Sequence, residues 1–288
     1  MLTRRQQLLF LTPLAAILIP FLLWPALLGL FASFTNYDPY QRTSLQFVGL
    51  NNFATILRDS DFQAAIRNII VFAIITTALE LVLGISIAYA LRRPFRGRSL
   101  VRFVLLLPWL VSPVANGVMW HFLFDPERGI VNFWPALVGL PHLPPPLSRG
   151  LAIFAVMAVD IWRKVPLVSF LVLPGLLAIP AGQWDHATIE GLSFYSRIRH
   201  IVVPHIRLLL LTITLLLIGD TLGTAEGLWE LTSGGPGSET ITPGLYSYAR
   251  VLHTYDSQSG ATSAWLIGLA IVLLGVCYMI LSRGEIDA

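Results

Sequence analysis

Six long apolar runs constrain this chain more than any other feature. They cover residues 8–34, 64–90, 103–124, 151–179, 206 to about 228, and about 261 to 281. A helix rises 1.5 Å per residue, so about 20 apolar residues cross the ~30 Å hydrocarbon core of a bilayer. Inside that core every backbone N–H and C=O must be satisfied within the protein, which a helix does by itself. The expected fold is therefore an all-α membrane protein with about six transmembrane helices, forming one domain over residues 1–288. Pro13, Pro20 and Pro25 in the first run are tolerable in a membrane helix. That run is too long for the apolar region of a signal peptide and no small-residue cleavage site follows it, so it is expected to be retained.

Composition agrees. Charged residues make up 12% of the chain and hydrophobic ones 55%, with mean hydropathy +0.72; soluble domains carry about 25% charged residues. The formal charge of +3 and the pI near 9.2 do not point to nucleic acid, because most arginines fall in short loops between apolar runs, where the positive-inside rule accounts for them. Arg4, Arg5, Arg92, Arg93, Arg96, Arg98, Arg102, Arg197, Arg199, Arg207 and Arg283 fall on one side; Arg42, Arg58, Arg67, Arg128, Arg149 and Arg250 are scattered on the other. Both termini and loop 180–205 are thereby expected in the cytoplasm. Cys277 is the single cysteine, so no intrachain disulfide and no cysteine-based metal site is available.

Catalytic signatures are missing from the sequence. A phosphate-binding P-loop needs Lys followed by Ser or Thr, and the one lysine, Lys164, is followed by Val165 inside an apolar run. The histidines have no metal-ligand spacing, and there is no G-x-S-x-G nucleophile motif. No catalytic or metal-binding residue is expected, and an enzyme is disfavoured. Charge inside hydrocarbon is costly and faces protein or water. Asp160, Arg163 and Lys164 stand at i, i+3, i+4 on one helix face. Two roles stay open for them: a self-neutralising structural cluster, or the lining of a polar cavity. Asp220, Glu226 and Glu230 lie toward the far end of the fifth run and just beyond it, suited to a cavity or an outer gate.

Residues 185–206, DHATIEGLSFYSRIRHIVVPHI, form a polar segment between two apolar runs. Helical spacing puts Ala187, Gly191, Tyr195 and Ile198 on one face, with small residues at the first two positions allowing close approach of another surface. Asp185 suits a helix N-terminus, and Arg197, Arg199 and His200 a C-terminus. Pro204 is expected to end the helix.

This segment, D-H-A-x3-G-x9-I-x-V-P, resembles the cytoplasmic loop of binding-protein-dependent ABC importer permeases, usually E-A-A-x3-G-x9-I-x-L-P. Ala187, Gly191, Ile201 and Pro204 match; Asp185, His186 and Val203 depart. The carbohydrate branch of the family also has counterparts of FVGLNNF at residues 47–53, of Ala64, Ala65, Arg67 and Asn68, of LLLPW at 105–109, and of Phe124, Asp125, Pro126, Gly129 and Asn132. Most specific is Leu231, Thr232, Gly234, Gly235, Pro236, Thr240, Tyr246 and Tyr248 at family spacing. Pro243 replaces a leucine there, and Ala225–Glu226 replaces Phe-Asp.

The resemblance covers roughly the whole chain and implies one permease subunit of the type I ABC importer fold, in a prokaryotic inner membrane. It implies a short coupling helix docked to an ATPase subunit through Asp185, His186, Ala187, Glu190, Gly191, Phe194 and Pro204, and an external gate loop at Gly234, Gly235 and Pro236. It also implies partners: a second homologous permease subunit, two ATPase subunits that carry ATP and Mg²⁺, and an extracytoplasmic solute-binding protein. This chain would itself hold no cofactor and, apart from membrane lipid, would meet a sugar-type substrate. The implied pathway candidates are Asp160, Trp162, Arg163, Lys164, Asp220, Glu226 and Trp229, with Trp162 and Trp229 offering rings to a sugar and Trp109, Trp120 and Trp265 placed as interface anchors. Two alternatives remain: a permease of the same fold for an anionic solute such as glycerol phosphate, and an ATP-independent channel or membrane enzyme.

Overall fold

The computed structural model describes residues 12–14, 16–37, 45–139, 141 and 143–286; Arg4, Arg5 and Arg42, used above for orientation, lie outside them. Helix α1 (Thr12–Ser33) is apolar throughout. Helix α2 (Asn51–Arg58) lies across its end, and Asn52 Nδ2 donates to the carbonyls of Ser33 (3.0 Å) and Thr35 (2.9 Å), satisfying acceptors that a helix C-terminus leaves open. Helix α3 (Ser60–Arg92) contains no proline and runs for 33 residues, about 50 Å at 1.5 Å per residue. Asp59 caps it by accepting from the N–H groups of Asp61 and Phe62.

The third apolar run does not form one straight span. Helices α4 (Arg98–Leu110) and α5 (Pro113–Leu123) meet at 94°. Pro113 is the cause: the residue before a proline avoids the helical region, and Ser112 is extended at ψ 148°. Its Oγ then caps α5 by accepting from Ala115 N at 3.2 Å. Helix α6 (Ile130–Leu137) follows. Helix α7 (Ala152–Ala178) carries Pro166 and Pro174 and still continues.

Segment 180–205 is two helices rather than one. Helix α8 (Ala181–Ile189) leaves α7 at 87°, and helix α9 (Phe194–His205) meets helix α10 (Arg207–Gly223) at 86°. Pro204 does not end α9, because a π-turn over Ile198–Val202 relaxes the backbone just before it; the bend falls at Ile206, φ −114° and ψ 19°. Helices α11 (Glu226–Thr232), α12 (Pro243–Leu252) and α13 (Ser257–Ile286) complete the chain. Among the described residues, three helices are long and apolar enough to cross a membrane, or six when each bent pair is one span.

The core is built on α3 against α7, which pack along most of their length. A Cβ at Gly84 would collide with Val168, so glycine sets how closely these helices approach. One apolar cluster joins Leu91, Val172, Leu176, Ala187, Val202 and Ile213 at the α8–α9 end. A second joins Phe72, Val156, Leu228, Leu231 and Leu245 toward the other end. The large apolar residues of α1 and α13 stay exposed, as Phe21, Leu22, Val272 and Ile280 do, which suits faces turned to lipid or to another chain.

Candidate functional site

Four charged residues of the two helices α7 and α10 converge. Lys164, almost fully buried, places Nζ 2.9 Å from Asp160 Oδ2 and 2.9 Å from Asp220 Oδ2, and donates to Thr221 Oγ1 at 2.9 Å. Arg163 Nη2 lies 3.5 Å from the same Asp220 oxygen. Lys164 thus pairs its charge with two carboxylates and places one N–H on the Thr221 hydroxyl. Asp160 and Lys164 are buried, whereas the Asp220 side chain keeps 54% of its exposure. Glu80 of α3 lies beside Asp160 and is itself completely buried. The candidate set above leaves Glu80 out; the signal for it is a single acid inside an otherwise apolar run.

Two clefts meet at Arg163 and Asp220. One, of ≈ 870 Å³, adds Trp109, Lys164 and leucines of α7 and α10. The other, of ≈ 590 Å³, adds Pro113, Thr224 and Glu226. Of the pathway candidates, the structure therefore groups Asp160, Arg163, Lys164, Asp220 and Glu226. Trp162 instead meets Trp120 edge-on at 5.4 Å. Trp229 stands apart, its ring stacked on His253 at 3.7 Å with 14° between planes, so that face is already covered. The α11 helix bearing Trp229 sits tightly on α5, since a Cβ at Gly117 would strike the Gly227 carbonyl.

The glycine-rich loop after α11 is held from within and from α3. Ser233 and Gly234 are left-handed, and the Gly235–Pro236 peptide is cis. Thr240 Oγ1 lies 2.7 Å from Thr232 Oγ1 and donates to Gly235 O at 2.8 Å. Asn68 Nδ2 of α3 donates to the carbonyls of Ser238 (2.8 Å) and Ile241 (3.0 Å), and Ser238 Oγ donates to Asp61 at 2.7 Å. Farther along, Tyr246 OH and Arg250 Nη2 reach Asp59 Oδ2 at 3.0 and 2.6 Å. Burial raises the Asp59 carboxyl, but bonds from Phe62 N and Asp61 N, then Tyr246 and Arg250, outweigh it and hold it below its ordinary range. Burial pushes the Tyr246 hydroxyl up to about 12.

Segment 180–205 buries Ala187, Ile201 and Val202 and exposes many of its other residues. Ala187 is buried in the core, whereas Asp185, His186, Glu190, Phe194 and Pro204 are exposed, together with Ile189 at 83% and Tyr195 at 67%. Asp185 sits in the middle of α8, since that helix begins four residues earlier. Gly191 has a different reason from the small-residue face expected of it. Its φ is +64° and nothing in the chain lies within 4 Å of a Cβ placed there. It ends α8 in a Schellman motif: Leu192 N donates to Ala187 O at 3.0 Å and Gly191 N to Thr188 O at 3.2 Å. Arg197 adds bonds to the carbonyls of Leu192 (2.8 Å) and Ala187 (3.3 Å). On the other side of α8, the Arg92 guanidinium lies 3.5 Å over Trp184, and Tyr89 meets Trp184 and Phe194 edge-on. Sequence spacing showed none of these contacts, because they join residues about 90 positions apart.

Residues 80–283 match the family described as binding-protein-dependent transport system inner membrane component. The chain belongs to that family. It is 28% identical to the trehalose/maltose transport system permease protein MalF of Thermococcus litoralis, over 97% of this chain and 94% of that one. It is 26% identical to the sn-glycerol-3-phosphate transport system permease protein UgpA of Rhizobium meliloti, over 93% and 90%. In fold it superposes on a chain of a bacterial alginate ABC transporter, crystallised with an alginate pentasaccharide-bound periplasmic protein, with TM-score 0.82 and 19% identity over 98% and 96%. The fold is that of a type I ABC importer permease, and the chain is a multi-pass membrane protein. The expectation of an ABC importer permease stands. Among the described residues, no group of three or more His, Cys, Asp and Glu is placed to hold a metal ion.

Proposed function

We propose that this chain is one of two permease subunits of an ATP-driven importer that moves a sugar or sugar derivative by alternating access. The observation that carries this is the family match spanning α3 to α13 together with the geometry of α8 and α9. That loop is rigidly tied to the core through buried Ala187, yet presents Asp185, His186, Ile189, Glu190 and Phe194 outward. Such a surface suits docking of a separate ATPase subunit, and ATP and Mg²⁺ belong on that subunit. Both termini and this loop are on the cytoplasmic side of a prokaryotic inner membrane, in keeping with the arginine distribution. A solute-binding protein delivers substrate to the opposite face, where the loop at Gly234, Gly235 and Pro236 acts as an outer gate.

Within the membrane, Asp220, Glu226 and Arg163 line the pathway, with Lys164, itself paired with Asp160, holding Asp220 in place. Carbohydrate recognition rests on hydroxyl-accepting carboxylates beside apolar surface, which the two clefts supply. Transport and coupling both require the nucleotide-dependent surface to interact differently with the inward and outward states. The test is ATP-driven uptake in liposomes containing the complex purified from source membranes, with its binding protein outside. Nucleotide-dependent accumulation of a carbohydrate supports the proposal; solute flow that ignores ATP contradicts it. The charged node gives the anionic-solute alternative one specific point of contact, because Arg163 and Lys164 face the clefts. Both cations are already paired with carboxylates, which favours the neutral sugar.

A further inference from the structure

We propose that α3 is the transmission rod between the cytoplasmic loop and the outer loop, with Trp184 and Asn68 as the positioning residues at its two ends. This rests on the importer assignment and adds to it the element through which the ends communicate. Three observations converge on the one helix. At its C-terminal end, Arg92 lies over Trp184 of α8 at 3.5 Å and Tyr89 touches both Trp184 and Phe194. Toward its N-terminal end, Asn68 holds two carbonyls of the glycine-rich loop, Ser238 and Ile241. Between these ends, Gly84 packs so closely on Val168 of α7 that a Cβ there would collide with it.

Asn68 and Arg92 are 24 residues apart on an unbroken helix, about 36 Å along its axis. No proline interrupts α3, whereas α4 and α7 each contain one or two and the bent pairs turn through 86–94°. An unkinked helix transmits a rigid displacement that a bent pair absorbs at its hinge. Helix α13 is also free of proline, but it packs chiefly on α1, α10 and α12. Helix α3 makes side-chain contact with both loops. A tilt of α8 that pushes Trp184 against Arg92 and Tyr89 therefore displaces Ser238 and Ile241 in the same step, and the buried Gly84–Val168 crossing is the natural fulcrum.

The test uses the complex co-purified from source membranes, carrying Cys277→Ser, Arg128→Cys and Glu239→Cys with a spin label on each new cysteine. Electron–electron distance distributions are recorded with and without Mg-ATP, alongside ATP hydrolysis. The parent is expected to show a nucleotide-dependent shift at the outer loop. Trp184→Leu and Asn68→Leu are each expected to abolish that shift while hydrolysis continues, and Trp184→Phe, which keeps a ring beneath Arg92, is expected to restore it. Should Trp184→Leu fail to assemble, Arg92→Leu makes the same cut from the α3 side. A full shift in either leucine variant overturns the rod, as does loss of hydrolysis together with the shift, which would make Trp184 part of the ATPase dock. Absence of any shift in the parent instead overturns the alternating-access assignment itself.

Discussion

The charged node on α7 and α10 and the loop of α8 and α9 use their polar residues in opposite ways. At the node, Lys164 is buried, ion-paired with Asp160 and Asp220 and hydrogen-bonded to Thr221. On the loop, Asp185, His186 and Glu190 are exposed, and the buried members Ala187, Ile201 and Val202 are apolar. The difference follows from the solvent each region meets. Charge in hydrocarbon must be neutralised inside the protein, whereas a loop in water keeps charge free for a partner. The node is thus internally paired with one open edge at Asp220, and the loop presents polar residues over a buried apolar base.

The largest expected effect is at the node. Lys164→Met leaves Asp160 buried without its counter-charge, a change that costs about 3–5 kcal/mol; the thermal midpoint of the detergent-solubilised protein should fall sharply. An unchanged midpoint would show that the node is wetter than its burial indicates. On the loop, Gly191→Val forces a β-branched residue to φ +64°, at roughly 1–2 kcal/mol. The expected outcome is faster proteolysis between α8 and α9 with the global midpoint little moved, and weaker coupling of ATP hydrolysis to uptake. Equal stability of both regions to this substitution would erase the contrast between them.

The Asp59 clasp tests a third environment, at the end of α3. Its carboxyl is held below the ordinary value of 3.8, so the ionised form stabilises the fold. That contribution is complete above the ordinary value and is lost as pH falls through the lower folded one. Asp59→Asn keeps a cap acceptor but loses the charged contact with Arg250, and should therefore lower stability at neutral pH by about 1 kcal/mol. The gap between variant and parent should close on acidification below about pH 4; a gap that is constant with pH contradicts the role given to the carboxylate. The smallest effect is at Glu226→Gln, an exposed cleft residue, with stability unchanged within about 0.5 kcal/mol. Any consequence should appear in uptake alone, which separates a pathway residue from a structural one.

Much of this was legible in the sequence, and the exceptions are instructive. Run length announced the helices, and the spacing of Asp160, Arg163 and Lys164 placed them on one face, because both are local properties of a helix. The break in the third run was also local, written as Ser112–Pro113, but hydropathy alone passes over it. Gly191 was legible as a special position, while its reason was not: a small residue for close approach and a left-handed cap look alike in sequence. Glu80 beside Asp160, Arg92 over Trp184 and Asn68 beneath the glycine-rich loop were not legible. Each depends on how α3 is rotated against other helices, and periodicity within one helix does not report that.

The most direct test of the central claim is co-purification from source membranes in mild detergent, comparing the parent with Ile189→Glu. Ile189 is 83% exposed on α8, so the substitution alters the presented surface and leaves buried Ala187 in place. The account predicts that an active ATPase accompanies the parent and is lost from the variant while the permease is recovered in equal yield. A parent that purifies as a single chain without ATPase activity, or a variant that retains the ATPase in full, would contradict it.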